Sequence, residues 1–217
     1  MRRVSPVSVD LHFLPVETRV PFMFGREILT HVTCARVRMN VVGETGARAD
    51  GWGETPLNVQ WAWPSGLSYA ERNEALQRFC CLLAEAWVEA PGAGHALDVG
   101  HRFLERRLPG LLSAFNTERG GEPMPTLAAL VCGSAFDLAL HDAFGRLLGI
   151  PTFETFTADC MAHDLARYLE PAAGGDVSFE GMYPADFLMT PEKNLTACHL
   201  VGGTDLLTDD ERTGKEP

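Results

Sequence analysis

Four residues in two short segments have side chains suited to contact a ligand. Phe22 and Phe24 lie in "PFMFGRE", and Glu54 and Trp61 lie in "DGWGETPLNVQWAW". A carboxylate can act as a general acid or base, and aromatic side chains on loops often bind ligands. Two structural alternatives stay open: Glu54 could support the tight turn before it or contact another domain, and most large aromatic side chains belong to a core. We treat all four as candidate contacts to a substrate.

A second pair with possible chemistry is Asp137 and His141, which are four residues apart. On a helix this spacing brings two side chains together, so the pair is either a hydrogen-bonded helix pair or a catalytic dyad. No Cys/His spacing matches a zinc site, and the cysteines form no C-x-x-C pair. The residue pattern therefore assigns no catalytic residue and no metal ligand to this chain.

The charge balance argues against one class of partner. Among 217 residues, 18 are basic and 29 are acidic, which gives a net charge of −11. Nucleic acid or an anionic membrane would require a basic surface patch, so we expect neither as a partner. The cysteine pattern indicates reduced thiols, and the first ten residues lack the apolar run of a signal peptide. These features predict a cytoplasmic protein without a transmembrane span.

Three strands are predicted in the first quarter of the chain. Residues 7–14 are rich in valine and leucine, residues 28–42 are β-branched and alternating, and residues 47–54 return after a Gly-Glu-Thr-Gly turn. Consecutive strands joined by short turns form an antiparallel meander. Residues 21–27 are predicted to be a loop between the first two strands.

Helical patterns begin at Ser68, which forms a capping box with Glu71. A first helix continues to Pro91, a second covers residues 96–107 before Pro109, and a third opens at residue 126. The apolar face predicted for the third helix consists of Leu127, Leu130, Val131, Ser134 and Leu138. A shorter fourth helix is predicted over residues 158–169. Strands followed by helices predict an α+β fold, a three-stranded antiparallel meander followed by a helical bundle.

Two motifs carry a resemblance to a known family. "GSAFDLALHDAFGRLLGIP", residues 133–151, resembles the first signature of the mandelate racemase/muconate lactonizing enzyme family in the enolase superfamily. "GWGE", residues 51–54, is similar to the end of that family's amino-terminal meander. The resemblance covers residues 7–155 and implies that residues 1–155 are an enolase-superfamily amino-terminal capping domain. It also implies that this domain covers the open end of a (β/α)₈ barrel and that its loops shape substrate specificity.

In that family the barrel performs the chemistry, which is lyase or isomerase chemistry by abstraction of a proton next to a carboxylate. A lysine or histidine is the base and Mg²⁺ stabilises the intermediate. Residues 195–203, "LTACHLVGG", resemble the first barrel strand, after a segment of residues 156–194 that we interpret as a helical insertion or linker. Residues 195–217 are thus interpreted as an incomplete barrel start and a truncated tail. The base motif and the metal ligands would lie beyond it.

Two functions follow as alternatives. In the first, the chain is the capping and substrate-specificity domain of a magnesium-dependent racemase, dehydratase or cycloisomerase. It then binds a small carboxylate substrate only together with the missing barrel, needs no cofactor of its own and is inactive alone. In the second, it is a stand-alone α+β module that has lost its barrel and serves in binding or oligomerisation. A homo-oligomer is compatible with both.

Overall fold

A three-stranded antiparallel sheet begins the chain. The computed structural model describes residues 2–24, 27–89, 92–198, 206 and 208–214. The strands are β1 (Val4–Phe24), β2 (Glu27–Gly43) and β3 (Arg48–Pro56), in the order β1-β2-β3. The turn between β2 and β3 includes Gly46 at a φ of 82°, a conformation that glycine adopts without strain. The predicted meander is confirmed.

β1 and β2 extend beyond the third strand as a two-stranded ribbon. β3 ends with Pro56 opposite Cys34, whereas β1 and β2 stay paired as far as Phe24 and Glu27. The predicted loop over residues 21–27 was therefore wrong, since β1 runs through Phe24. Phe and Ile have high strand propensity, and the backbone of residues 22–24 pairs here with that of residues 27–29. A register shift between Glu17 and Phe22 is the irregular part of the ribbon.

Five helices follow the sheet among the described residues: α1 (Val59–Ala62), α2 (Tyr69–Val88), α3 (Ala96–Arg106), α4 (Leu108–Arg119) and α5 (Thr126–Leu148). The capping box of α2 is present as predicted: the Glu71 N–H donates to Ser68 Oγ at 3.2 Å, and the Ser68 N–H donates to Glu71 Oε2 at 3.0 Å. Helix α4 was not predicted, because Pro109 suggested a break. Proline in fact lies in its first turn, where its missing N–H breaks no helical hydrogen bond.

The helices cover one face of the sheet, and the core lies between them. Alternate residues of β2 point into this core and are fully buried, namely Ala35, Val37, Met39 and Val41. The residues between them, such as Arg36 and Arg38, face solvent. The period of two follows from strand geometry. One face of the sheet therefore packs on helices, and the other is open.

Helix α5 lies against β3 at a distance that only glycine permits. A Cβ added to Gly51 would lie 2.1 Å from the Ala143 nitrogen, and one added to Gly53 would lie 2.1 Å from the Ala135 oxygen. Both clashes are with the helix backbone, which cannot rotate away as a side chain would. The two glycines of the "GWGE" motif thus set the contact between helix and sheet.

The buried face of α5 is not the one that the sequence predicted. Leu127, Leu130 and Leu138 are 42%, 40% and 50% exposed. The core face instead consists of small residues and two phenylalanines: Ala128, Ala129, Cys132, Gly133, Ala135, Phe136, Ala139, Leu140, Ala143, Phe144 and Gly145. Small residues are required there because β3 approaches so closely. The leucines therefore form an apolar stripe on the outer side of the helix, which we call the outer α5 stripe.

By length and composition alone, α5 could also cross a membrane. Its mean hydropathy reaches 1.4 over 18 residues, and 56% of that window is buried inside the fold. Burial of this extent is typical of the core helix of a folded domain.

After α5 the described chain contains only short 3-10 turns, at Thr152–Thr155, Leu165–Arg167, Pro184–Phe187 and Asp209–Glu211. The helix predicted over residues 158–169 was wrong, since only Leu165–Arg167 is helical there. The Asp164 carboxylate accepts from the N–H groups of Ala166 and Gly181, and such local bonds compete with a continuous helix. Of the predicted barrel strand, residues 195–198 form no strand and residues 199–203 lie outside the described part. The barrel start and the domain limits remain predictions.

Candidate functional site

An open groove lies on the solvent face of the sheet, at the end of the "GWGE" motif. It has a volume of about 400 Å³ and is lined by Arg36, Trp52, Gly53 and Glu54. The side chains of a strand alternate between its faces. Since Gly51 and Gly53 face α5, Trp52 and Glu54 face the groove. Trp52 is 46% exposed there.

The Glu54 carboxylate is held by a cross-strand ion pair. Arg36 lies opposite Glu54 in the β2–β3 register, and its Nε donates to Glu54 Oε2 at 2.5 Å. The buried Cys34 lies close by, and its pKa is raised, first by burial and then by the negative charge of Glu54. The ion pair with Arg36 makes Glu54 part of the surface of the sheet, so its carboxylate is not a free acid or base.

A second ion-pair cluster continues this surface. Arg38 bonds to Asp50, and the Asn40 amide donates to the same carboxylate at 2.7 Å. The hydrogen bonds from Arg38 and Asn40 lower the pKa of Asp50. On the far side of Arg38, Asp10 lies 3.8 Å away in β1. On the solvent face of the sheet, the two arginines of β2 thus form ion pairs with the two carboxylates of β3.

These carboxylates do not fit a magnesium site. Mg²⁺ takes carboxylate oxygens in octahedral geometry, but Glu54 and Asp50 are committed to arginine partners. Asp142 likewise accepts from Arg146 Nε at 2.9 Å and from the Trp52 N–H at 2.8 Å. In the part of the chain that the structure describes, no group of three His, Cys, Asp or Glu side chains could hold a metal ion.

Trp61 lies on α1, directly after the sheet. Asn58 caps this helix by accepting from the Trp61 N–H at 3.1 Å, and the indole is 47% exposed. Its neighbour Trp63 is buried instead, with its indole nitrogen 3.2 Å from Glu122 and the Arg119 guanidinium 4.9 Å from its ring. Of the two tryptophans, only Trp61 is available to a ligand.

The ribbon and α1 lie at the same end of the sheet. The Leu57 N–H, just before α1, donates to the carbonyl of Thr33, where the ribbon begins. Farther along the ribbon, the His31 ring meets the Tyr69 ring of α2 edge to face at 5.0 Å. The backbone of Phe22 and Phe24 belongs to this ribbon, and their side chains lie outside the described part. The register thus places the backbone of Phe22 and Phe24 in the ribbon beyond Pro56, and it places Glu54 on the solvent face two residues before Pro56.

A buried cluster that the sequence did not identify lies between α3 and α5. His95 precedes α3, is fully buried, and lies 6.4 Å from His141 between ring centroids. His141 Nε2 is 3.9 Å from Asp137 Oδ2, too far for a hydrogen bond, and its Nδ1 is buried without a partner in the described structure. Burial lowers the pKa of His141 to about 4 and raises that of Asp137 to about 6. The pair is therefore close, as predicted, but is not hydrogen-bonded.

Comparison with known proteins gives matches among solved structures. No protein-family model matches the sequence, and no curated protein matches it significantly. The L-Ala-D/L-Glu epimerase from Bacillus subtilis is similar at 18% identity and a TM-score of 0.40, over 70% of this chain and 34% of the epimerase. A dipeptide epimerase from Cytophaga hutchinsonii, complexed with Mg and a dipeptide, is similar at 20% identity and a TM-score of 0.41, over 70% of this chain and 33% of the epimerase. The L-talarate/galactarate dehydratase from Salmonella typhimurium LT2 is similar at 19% identity and a TM-score of 0.37, over 72% of this chain and 33% of the dehydratase.

The chain therefore spans about a third of the length of the structures that it matches. Solved structures similar to this chain also include a mandelate racemase/muconate lactonizing enzyme-like protein from Rubrobacter xylanophilus, at 17% identity and a TM-score of 0.40, and thus a protein named for the family that the two motifs resemble.

Proposed function

We propose that this chain is the amino-terminal capping and substrate-specificity domain of an enolase-superfamily racemase, dehydratase or cycloisomerase. The observation that carries the proposal is the outer α5 stripe. One side of α5 is packed into the core, and the opposite side still presents Leu127, Leu130 and Leu138 to solvent. An apolar stripe left exposed on a core helix marks a surface that another element or chain covers. We infer that a second layer covers this side.

The occupant that we infer is a (β/α)₈ barrel. Residues 133–148 of the segment that resembles the family's first signature are on α5 itself, so the helix that carries most of the motif is also the helix with the uncovered face. Leu127 to Leu138 spans about 16 Å at 1.5 Å per residue. This length is enough for a continuous contact with one or two helices of a barrel.

The ribbon and α1 supply the specificity part of the proposal. Both project from the same end of the sheet, and Trp61 is exposed there. In the proposed complex, Phe22, Phe24 and Trp61 close over the mouth of the barrel and exclude water from a small carboxylate substrate. Glu54, paired with Arg36, belongs to the surface of the cap. The barrel supplies the base and the Mg²⁺, and the assembled protein is cytoplasmic.

A second candidate function uses the same stripe differently. Two copies of this chain could cover each other's leucines, which would make the chain a stand-alone oligomerisation module. A pair of self-complementary apolar stripes is a common dimer interface. The two proposals differ in what lies against α5.

The test begins with the coding sequence downstream of Pro217, read in all three frames. Any encoded barrel is expressed separately, and its binding to the 217-residue chain is measured by calorimetry. Leu138→Glu should weaken binding at least tenfold, because it places a charge in an apolar contact. Leu104→Glu, at a leucine on α3 that is 38% exposed, is the matched control and should have no effect.

The outcomes separate the two candidates. Binding that is insensitive to Leu138→Glu would contradict the proposed contact. If no barrel is encoded and the chain forms a dimer that Leu138→Glu dissociates, the oligomerisation module is correct. Turnover of a 2-hydroxy acid, sugar acid or dipeptide by the purified 217-residue chain with Mg²⁺ would show that it is not merely a cap.

A further inference from the structure

His95 lies where three elements of the fold meet. It directly precedes α3, and its ring packs edge-on against Phe144 of α5 at 4.6 Å and against Phe156 at 5.7 Å between centroids. Phe156 follows the turn at Thr152–Thr155, which we call the 152–155 turn. The side chain is fully buried. No part of the proposed cap function uses this residue.

Two hydrogen bonds fix the protonation of this ring. Nδ1 accepts from the Leu97 N–H at 3.1 Å and thereby caps α3. Nε2 lies 3.0 Å from the carbonyl oxygen of Thr155, which can only accept, so Nε2 carries the hydrogen. His95 is therefore neutral, and both ring nitrogens are in use.

The Thr155 carbonyl connects the ring to the rest of the carboxy-terminal segment. Thr155 is fully buried, and its hydroxyl donates to Thr152 O at 2.6 Å. The Thr152 hydroxyl donates to the His141 carbonyl of α5 at 3.3 Å. Farther along, the Ala185 N–H donates to Phe156 O. One imidazole thus joins the start of α3 to the 152–155 turn and the chain that follows.

The charged groups around His95 act on an extra proton in both directions, and Asp98 favours it while His141 disfavours it. On α5 the nearest titratable side chain is His141, which lies beside Asp137. A charged His141 would repel an imidazolium at His95. On α3, Asp98 is already the acceptor for the Tyr168 hydroxyl. On the 152–155 turn, Glu154 points to solvent. Burial lowers the pKa of His95 to about 4, against smaller opposing effects of the Thr155 hydrogen bond and of the Asp98 charge.

We propose that His95 is an acid-sensitive latch that holds the 152–155 turn and the start of α3 against α5. When Nδ1 takes a proton from solvent, it can no longer accept from the Leu97 N–H, and α3 loses its cap. The imidazolium is then more stable in water than among Phe144 and Phe156, so the ring leaves its site. The Thr155 carbonyl loses its donor, and the turn separates from the helices.

The sign of the effect follows from proton linkage. The ordinary pKa of histidine is about 6.5, and burial lowers that of His95 to about 4, so the released form binds more protons between these values. The latch is closed above pH 6.5 and weakens as the pH falls towards 4. From pH 7 to pH 5 the population of the released form should rise about 20-fold.

The experiment is amide hydrogen exchange at pH 7 and pH 5 on the full chain, corrected for intrinsic exchange rates. Peptides that cover residues 95–99 and 152–161 should lose protection by about 20-fold at pH 5. Peptides from the middle of α2 should keep theirs. Equal protection of the latch peptides at both pH values would overturn the proposal.

Two variants of His95 test whether this residue causes the loss of protection at pH 5. His95→Asn keeps a capping oxygen and cannot titrate, and His95→Gln keeps a donor that can reach Thr155. In either variant the protection should not depend on pH in this window. The exposed His12→Gln is the matched control and should keep the response. A response that persists without His95 would refute the latch. If neither His95 variant folds, titration of the His95 ring by NMR decides, and a ring pKa near 6.5 would refute it.

Discussion

Replacing Gly51 by alanine tests how the "GWGE" motif holds α5. The added Cβ would lie 2.1 Å from the nitrogen and 2.7 Å from the Cα of Ala143, and 2.2 Å from the Ala139 oxygen. Ordinary contacts are about 3.5 Å, so α5 must retreat by about 1 Å. Because α5 is the main partner of β3, the shift would loosen contacts along much of the helix.

The magnitude follows from measured overpacking. Extra methylenes in packed cores cost about 1–3 kcal/mol, and the upper end applies because the clash is with backbone. We expect Gly51→Ala to lower the free energy of unfolding by about 3 kcal/mol, against about 5–15 kcal/mol for a typical domain. In urea this corresponds to a midpoint lower by about 1–2 M. Far-ultraviolet circular dichroism measures the transition.

The matched control is Gly133→Ala, which is also a glycine at the core side of α5. A Cβ there meets nothing within 4 Å, and alanine is better than glycine in a helix by about 1 kcal/mol. This variant should be as stable as the wild type or more stable. If Gly51→Ala and Gly133→Ala both unfold within about 0.5 kcal/mol of the wild type, the close contact of α5 with β3 is refuted.

Three further predictions concern single side chains. Ser68→Ala removes the cap of α2 and should lower the free energy of unfolding by about 1 kcal/mol in urea titrations; no change would show that Glu71 caps the helix alone. Asp142→Ala leaves the Trp52 N–H without its acceptor and should cost about 1–2 kcal/mol, whereas an unchanged urea midpoint would argue against this bond. Burial raises the pKa of Asp137 to about 6. Protonated Asp137 therefore contributes its full stabilisation of the fold below the ordinary pKa of aspartate, and this contribution is lost as the pH rises through 6. Asp137→Asn should therefore raise the melting temperature at pH 7.5 but not at pH 4. The increase should be modest because the Asp137 side chain is 41% exposed. An equal change in melting temperature at both pH values would contradict this prediction.

The meander could be predicted because its signals are local. Alternation in β2 indicates one buried and one open face, and the structure buries Val37 and Met39 while Arg36 and Arg38 face solvent. The capping box at Ser68 likewise needs only neighbouring residues. Such features are decided within a few residues of chain.

The buried face of α5 could not be predicted from periodicity. Apolar residues occur on nearly all sides of this helix, so the larger leucines suggested the wrong face. The choice is made by β3, whose Gly51 and Gly53 bring the backbones so close that only small side chains fit. That contact joins Gly53 to Ala135 and Gly51 to Ala143, which are 82 and 92 positions apart, and no local pattern contains it.

The candidate site was predictable only in part. Glu54 was identified, but its partner Arg36 is 18 residues away and is placed by the strand register. His95 escaped notice because histidine is not among the residues that usually cap helices. Its burial depends on the 152–155 turn, 60 residues later in the chain.

The central claim is that a barrel covers the outer α5 stripe, and site-specific photocrosslinking tests it most directly. A photoreactive phenylalanine analogue replaces Leu138 in the protein as it is expressed in its source cells, with Leu104 as the control position. Mass spectrometry identifies the crosslinked peptide. We expect crosslinked peptides of a (β/α)₈ barrel, in the same or another polypeptide, from position 138 and not from position 104. Crosslinks from position 138 to a second copy of α5, to lipid, or to nothing would contradict it.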